Sequence, residues 1–367
     1  MGGARTPFSV WSRGKTGAGV RGGALAGLDP FDLGAAALKG ALSRAEASPG
    51  GIDRLRFGNM YPEGPHGCYG GRYVGHRAGL PETVPAFTLH MSCGTGLHAL
   101  IEASRDIAGG EADTVAVAGA DCPSRQNKEI FLPSFHDLSC GTSIGLATER
   151  LAQDRGITRE AMDRWSEESH RRAGAAQEDG RLAAEIVPVA GASKDDGILR
   201  ENIYERIAEA KAMKDGEGLI TAKNTHAIVD GGSALILSIS KGSSRPLGRV
   251  LSWGYAAGRP QDMALASLGA VKRALGTIGA RVDDVDLFDI NETFAAQLLM
   301  DMEGLGLDAQ RVNVLGGALA LGHPFAATGA RQVLGLLLEL RRRNLKRGVA
   351  AVSVGGGQGV AVAVESL

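Results

Sequence analysis

Residues 88–104 read TLHMSCGTGLHALIEAS, a single cysteine set between an apolar strand and a helix. Phe87 to Met91 is predicted as a short buried strand, Gly94 and Gly96 supply a tight turn, and Leu97, Leu100 and Ile101 recur at helical spacing. Cys93 therefore falls at a helix start, where unpaired N–H groups and the positive end of the helix dipole favour an anion. The thiol is expected to titrate below its ordinary value, which marks Cys93 as a candidate nucleophile. The competing reading is a small buried apolar cysteine at a strand end.

Working outward, the same alternation recurs. Pro30 to Ala47 has helical apolar spacing, Leu55 to Met60 is a short strand, and Asp113 to Ala120 (DTVAVAGA) reads as a fully buried strand. Helix Ala330 to Arg343 leads to strand Val349 to Val354 and then Gly355, Gly356 and Gly357. Strand Val285 to Ile290 runs into NETFAAQLLMDM as strand 87–91 runs into the Cys93 helix, which suggests two related halves. The fold class is α/β. Residues 1–120 form a first half, completed by a strand within 229–243, and residues 244–367 form a second. Residues 121–228 are denser in charge, with amphipathic helices such as Arg159 to Asp179 and loops at 191–197 and 215–218, and are expected to be an inserted lobe.

The charge balance, net −1 over 367 residues, gives no reason to expect nucleic acid. No run of eighteen apolar residues predicts a membrane span. The opening MGGARTPF lacks a signal or transit pattern, so a cytoplasmic location is expected. It fits the loose myristoylation pattern through Gly2 and Thr6, but Pro7 and the segment after it read as folded sequence. Cys68, Cys93, Cys122 and Cys140 have neither C-x-x-C spacing nor a histidine at metal-ligand intervals, so no metal site and no disulfide framework is expected.

Four glycine-flanked loops succeed strands or open helices: the one at Cys93, Asn291-Glu292-Thr293-Phe294, Gly322-His323-Pro324, and Ser353-Val354-Gly355-Gly356-Gly357. If the halves face each other, these loops converge on one pocket holding a thiol, an imidazole, an amide and glycine N–H groups, an inventory suited to acyl transfer. Taken singly, the asparagine reads as a helix cap, the histidine before proline as structural, and the triple glycine as a tight turn.

The joint pattern resembles the thiolase family. The matching pieces are RTPF at 5–8, SCGTGLHA at 92–99, GLATERLAQDRGITRE at 145–160, SHRRAGAAQEDGRLAAEIVPV at 169–189, NETFAAQ at 291–297, GGALALGHPFAATGAR at 316–331 and VGGGQG at 354–359, in family order over nearly the whole chain. The resemblance implies a thiolase fold: two similar βαβαβ-type halves in a layered αβαβα core, with the inserted lobe holding coenzyme A. It implies that Cys93 is acylated by a thioester, that His323 activates it and helps stabilise an oxyanion, and that Asn291 holds a water in that oxyanion hole. The Cys93 N–H and Gly355 would form the other hole. It also implies acyl-CoA as substrate, no permanently bound cofactor, and homodimers or homotetramers.

Several positions depart from the family pattern. The last loop of the family carries a second cysteine that moves the proton on the substrate's α-carbon, and here that position is Ser353. A hydroxyl titrates several units above the roughly 8.5 of a thiol and is a far poorer base. The family's NASG, whose serine lies beside pantetheine, is Asn224-Thr225-His226-Ala227, the histidine before M-G is Ser143, and NVNGG is Asn313-Val314-Leu315-Gly316-Gly317. His226 is thus a candidate base from the opposite wall or a satisfied histidine. Arg200, Lys211, Lys214 and Lys223 are candidate cations for the coenzyme's phosphates. Met162, Trp165 and Met213 either line a cleft or pack the core.

Three functions compete. The first is transfer from acyl-Cys93 to a carbon nucleophile or to coenzyme A, which covers Claisen condensation and the thiolysis of a 3-ketoacyl-CoA. The second is thioester hydrolysis or transfer to a heteroatom. The third is non-catalytic binding of acyl-CoA or lipid, against which the joint presence of Cys93, Asn291 and His323 argues.

Overall fold

The structure is a computed structural model that describes residues 2–10, 23–62, 64–126, 131, 133–213, 218–239 and 246–367. The first sheet is built from β1 (Gly2–Arg5), β2 (Arg54–Gly58), β3 (Ala86–Leu89), β4 (Thr114–Asp121) and β5 (Val229–Ser238). Its main path runs β1-β5-β4-β2-β3, with β2 parallel to β3 and β4 and with β5 antiparallel to β4 and β1. The second sheet contains β6 (Gly248–Ala257), β7 (Leu287–Ile290), β8 (Arg347–Val354) and β9 (Gln358–Ser366) in the order β7-β8-β9-β6. Here β7 and β8 are parallel, and the other two pairings are antiparallel.

The path β2-β4-β5-β1 repeats in order and direction as β7-β8-β9-β6, so the chain is a structural duplication. This corrects the pairing expected from sequence. By sheet position β7 matches β2, not β3, while Val312, which bridges Phe288 in parallel, takes the place of β3. The partner of the helix after Cys93 is therefore the helix after His323.

Helices α1 (Pro30–Arg44) and α2 (Gly70–Ala78) cover the outer face of the first sheet. Between the sheets lie α3 (Thr95–Ala108) and a later helix, Thr328–Arg342. The lobe carries α4 (Ile144–Asp154) and α5 (Arg159–Glu178), and α6 (Ala266–Thr277) with α7 (Ala295–Leu305) covers the outer side of the second sheet. The helix Thr328–Arg342 is then α8. Five layers result, in the sequence αβαβα.

Strand periodicity explains why five layers are stable. Along β4, Val115 and Val117 join the core between the sheets, and Ala116, Ala118 and Ala120 join the outer core with Leu33, Leu38 and Phe57. Along β8, Ala350, Val352 and Val354 face inward, while Val349 and Ala351 face the core under α6 and α7. Strands covered on both faces are apolar at nearly every position, as expected for a sheet without a wet side.

Gly2 and Thr6 are built into this frame. Gly2 pairs with Ile236, and the buried Thr6 accepts a hydrogen bond from Gly232 N at 3.0 Å.

Candidate active site

The Cys93 turn is held by its own backbone. Ser92 sits at φ +45°, in the left-handed region that costs a non-glycine residue energy, and Ser92–Gly94 forms a 3₁₀ turn ahead of α3. Thr95 Oγ1 fixes this turn by donating to Ser92 O at 2.6 Å and accepting from Met91 N at 2.8 Å. Cys93 is only 6% exposed and packs in one cluster with Tyr61, Phe131 and Phe325.

That burial overturns the expected acidity. It pushes the Cys93 thiol up to about 12, against a favourable bond from its own backbone N–H, with Asp121 adding to the rise. Desolvation of a thiolate outweighs the dipole of one helix end. Cys93 therefore rests as a neutral thiol.

His323 arrives from the second half on the loop before α8. Its backbone N donates to Ala227 O at 2.9 Å, and Nδ1 shares a 2.6 Å hydrogen bond with Thr328 Oγ1. Burial, then the neighbouring His226 and Arg331, hold its imidazole well below the ordinary histidine range, so it is neutral. Thr328 Oγ1 can give or take the proton of this bond, and in the tautomer with the proton on Nδ1 the Nε2 lone pair is free.

His226 stands beside it. The two rings are 5.1 Å apart between centroids and nearly perpendicular at 87°. His226 Nδ1 lies 3.0 Å from Thr293 O. A carbonyl only accepts, so Nδ1 carries the proton and Nε2 is the bare nitrogen. Burial pushes this imidazole down to about 4.

Asn291, at the end of β7, donates from Nδ2 to Thr293 Oγ1 at 3.1 Å. The loop is anchored by Glu292, whose carboxylate accepts from Trp165 Nε1 (2.9 Å), Ser169 Oγ (2.8 Å), Asn313 Nδ2 (2.9 Å) and Leu319 N (3.0 Å). Trp165 and Met162 belong to the core, where this anchor pins the lobe to the second half.

Four buried polar atoms gather here without a hydrogen-bond partner among the described residues: Thr225 Oγ1, His226 Nε2, Asn291 Oδ1 and His323 Nε2. Such groups are costly unless a ligand or water meets them. An adjoining cavity of about 390 Å³ is lined by Phe135, Ser143, Ile144, Thr225, His226 and Phe294, among others, and half-exposed Met213. Ser143 also caps α4, accepting from Leu146 N at 3.1 Å.

Cys93 and His323 are not on the cavity wall itself. They lie behind it, across a cluster of rings in which Phe325 stacks within 4.8 Å of His323 and 6.0 Å of His226. Gly355 has open space in front of it, ahead of Gly356 and Gly357 at positive φ.

Ser353 is placed differently. On β8 it shares the parity of Val349 and Ala351, its Oγ donates to Ser267 Oγ at 2.8 Å, and it accepts from Ser267 N at 3.2 Å. Ser267 in turn donates to the carboxylate of buried Asp301 at 2.7 and 2.8 Å. The hydroxyl proton points into this chain and not into the cavity.

Among the candidate cations, Arg200 is bound to Gly174 O (2.9 Å), Glu178 (2.7 Å) and Gln177 on α5. Lys223 is half buried, Lys211 is exposed, neither lines the cavity, and Lys214 lies outside the described residues. Sequence reading missed Glu292, Thr328 and the Ser267–Asp301 pair. An acidic residue directly after the catalytic-type asparagine was the one available signal, for Glu292.

The comparisons identify the family and the fold. The sequence model for the thiolase N-terminal domain matches residues 9–127 and 116–241, and that for the thiolase C-terminal domain matches 244–366. Acetyl-CoA acetyltransferase of Rhizobium meliloti is 34% identical, with 98% of each chain covered. The 3-ketoacyl-CoA thiolase of Bacillus subtilis is 32% identical over 98% of this chain and 96% of its own. A crystal structure of human mitochondrial 3-ketoacyl-CoA thiolase in complex with CoA superposes with a TM-score of 0.93 at 29% identity, covering 100% of this chain and 97% of that one. The chain belongs to the thiolase family. Within that family's chemistry it is an acyltransferase enzyme. Among the described residues no helix is long and apolar enough to cross a membrane.

Proposed function

We propose that the protein takes an acyl group from an acyl-CoA onto Cys93 and passes it to a carbon nucleophile or back to coenzyme A, by Claisen condensation or by thiolysis of a 3-ketoacyl-CoA. The observation that carries this reading is the neutral pair: a buried thiol, and a buried imidazole whose Nε2 has no partner among the described residues.

A resting thiolate–imidazolium pair would be expensive so deep in the protein. The neutral pair instead moves its proton only as the thioester arrives. His323 Nε2 takes the Cys93 proton, sulfur attacks the carbonyl carbon, and the new oxyanion is held by N–H donors. The tetrahedral adduct then expels the thiolate of coenzyme A, which recovers a proton from His323. The Cys93 and Gly355 N–H groups serve as donors in one hole, and His323 with a water on Asn291 serves the other.

The coenzyme arm lies along Ser143 and His226 in the lobe of residues 121–228. Lys223 and Arg200 supply cations for its phosphates, Arg200 in exchange for Glu178. Residues 1–120, completed by a strand within 229–243, and residues 244–367 act as the two halves, in a cytoplasmic homodimer or homotetramer with no permanently bound cofactor.

The alignment of Ser353 with Ser267 favours a second reading, in which water or a heteroatom receives the acyl group. Product analysis with and without free coenzyme A separates the two, since only the first changes a carbon–carbon bond.

The test is intact mass and peptide mapping after incubation with acetyl-CoA and with longer acyl-CoAs. An acyl increment on Cys93, absent in Cys93→Ala, is the expected result. No increment with any thioester in folded, reduced protein refutes the proposal.

A further inference from the structure

Joining two acyl groups through carbon requires a base at the acceptor's α-carbon, and position 353 is poorly built for it. Its oxygen accepts from Ser267 N, and its proton is committed to Ser267 and, through it, to Asp301. A serine hydroxyl acts as a base at carbon only after losing a proton that it holds far above neutral pH.

His226 has the opposite arrangement. It is a wall residue of the cavity, its ring is perpendicular to that of His323, and the carbonyl of Thr293 locks its proton on Nδ1. Nε2 is left as a buried lone pair with no partner among the described residues. The structure thus presents two imidazole Nε2 atoms without a partner among the described residues in one site, and transfer of an acyl group to Cys93 uses only the one on His323.

We propose that His226 is the base that removes the α-proton of a second acyl-CoA, the acceptor, so that its enolate attacks the acyl-Cys93 thioester. This rests on the acyl-Cys93 reading above. His226 Nε2 takes the α-proton, and the C–H electron pair becomes the enolate. The enolate carbon forms the new C–C bond at the thioester carbonyl, and the C–S bond to Cys93 breaks. The proton on the His226 imidazolium passes to the neighbouring His323, whose ring is 5.1 Å away between centroids, and His323 returns it to the Cys93 thiolate, which restores all three groups. In the thiolytic direction the same imidazolium protonates the α-carbon as the C–C bond opens. Burial keeps His226 unprotonated at neutral pH, so its lone pair is available without a prior ionisation.

The variant is His226→Asn, whose side-chain N–H₂ still reaches toward Thr293 O while the lone pair of Nε2 is removed. The wild type, incubated with acetyl-CoA in D₂O, exchanges the methyl protons of the acetyl group. His226→Asn is expected to lower the ratio of this exchange to Cys93 acetyl loading about 100-fold or more, the usual worth of a positioned base, whatever loading itself loses through the place of His226 beside the coenzyme arm.

Exchange within threefold of wild type, in a variant that still loads Cys93, overturns the proposal. Equal loss of loading and exchange also overturns it, because His226 would then serve the thiol. A wild type that loads Cys93 but exchanges no α-protons overturns this proposal alone, whereas a wild type that never loads Cys93 overturns the function on which it rests. If His226→Asn does not fold, His226→Gln carries the same comparison.

Discussion

Gly96 tests what holds the two halves of the site together. It lies in the first turn of α3, where a Cβ would come 2.5 Å from Ala326 O and 2.8 Å from Gly329 N, both backbone atoms of the segment opening α8. Ordinary contact begins at 3.4 Å, so Gly96→Ala must part the two helices by about 0.6 to 0.9 Å. Cys93 precedes one of these helices and His323 the other. A displacement near 1 Å between reacting groups costs on the order of 10²-fold in rate, so acylation of Cys93 should slow by roughly 10- to 100-fold.

The stability effect separates this from a simple helix substitution. Alanine is favoured over glycine in a helix by about 1 kcal/mol, whereas overpacking costs about 1–3 kcal/mol, so a net loss of up to about 2 kcal/mol is expected. The assay is rapid-quench mass spectrometry of the acyl increment alongside urea unfolding. The control is Gly276→Ala in α6, where a Cβ meets nothing within 4 Å. If Gly96→Ala behaves like that control, gaining stability and acylating at the wild-type rate, the crossing of α3 and α8 does not set the geometry of the site.

Cys93, Glu292 and Asp301 each carry a further expected outcome. Because Cys93 titrates near 12, its labelling by iodoacetamide, read by peptide mapping, should climb about tenfold per pH unit from pH 7 to 10; a plateau near neutrality would show a stabilised thiolate. Glu292→Gln places an N–H₂ against two of the four donors that now meet the carboxylate and should cost about 1–3 kcal/mol in urea unfolding; an unchanged midpoint would mean the anchor is dispensable. Burial raises Asp301 and Asp121 from 3.8 to about 7, so the native state holds protons that the unfolded chain releases. Their contribution to stability is full below pH 4 and declines as pH rises to 7, and Asp301→Asn should flatten that decline. An equal decline in the variant would remove Asp301 from the account.

Cys93, Asn291 and His323 were legible because each sits in a loop whose glycines and flanking strand mark it in one dimension. What the sequence could not convey was burial created by distant segments. The dipole argument for an acidic Cys93 was sound locally and failed because Tyr61, Phe131 and Phe325, brought in from three other segments of the chain, dry the thiol. Ser353 was recognised as a departure, but its commitment to Ser267, 86 residues earlier, depends on strand parity and on where α6 begins. His226 was ambiguous until Thr293 O fixed its tautomer. The duplication was legible as a theme, yet its pairing was misassigned because strand-to-helix texture looks alike in every βα unit.

Helix α8 lies between the sheets, touching β1, β4 and β5 of the first and β7, β8 and β9 of the second, with nearly every residue from Thr328 to Leu340 buried. Its Arg331 is matched internally, by Asp289 at 2.7 Å. Such a helix is the last large piece of the first half's core, and it is made late. A ribosome that has finished β5 at Ser238 still has about 90 residues to add to reach Thr328, roughly 5 to 20 seconds of synthesis. Through that interval the inner face of the first sheet and the apolar side of α3 have no permanent cover. The nascent chain therefore offers chaperones an apolar surface that disappears when α8 docks, and the two halves mature as one cooperative unit, not one after the other.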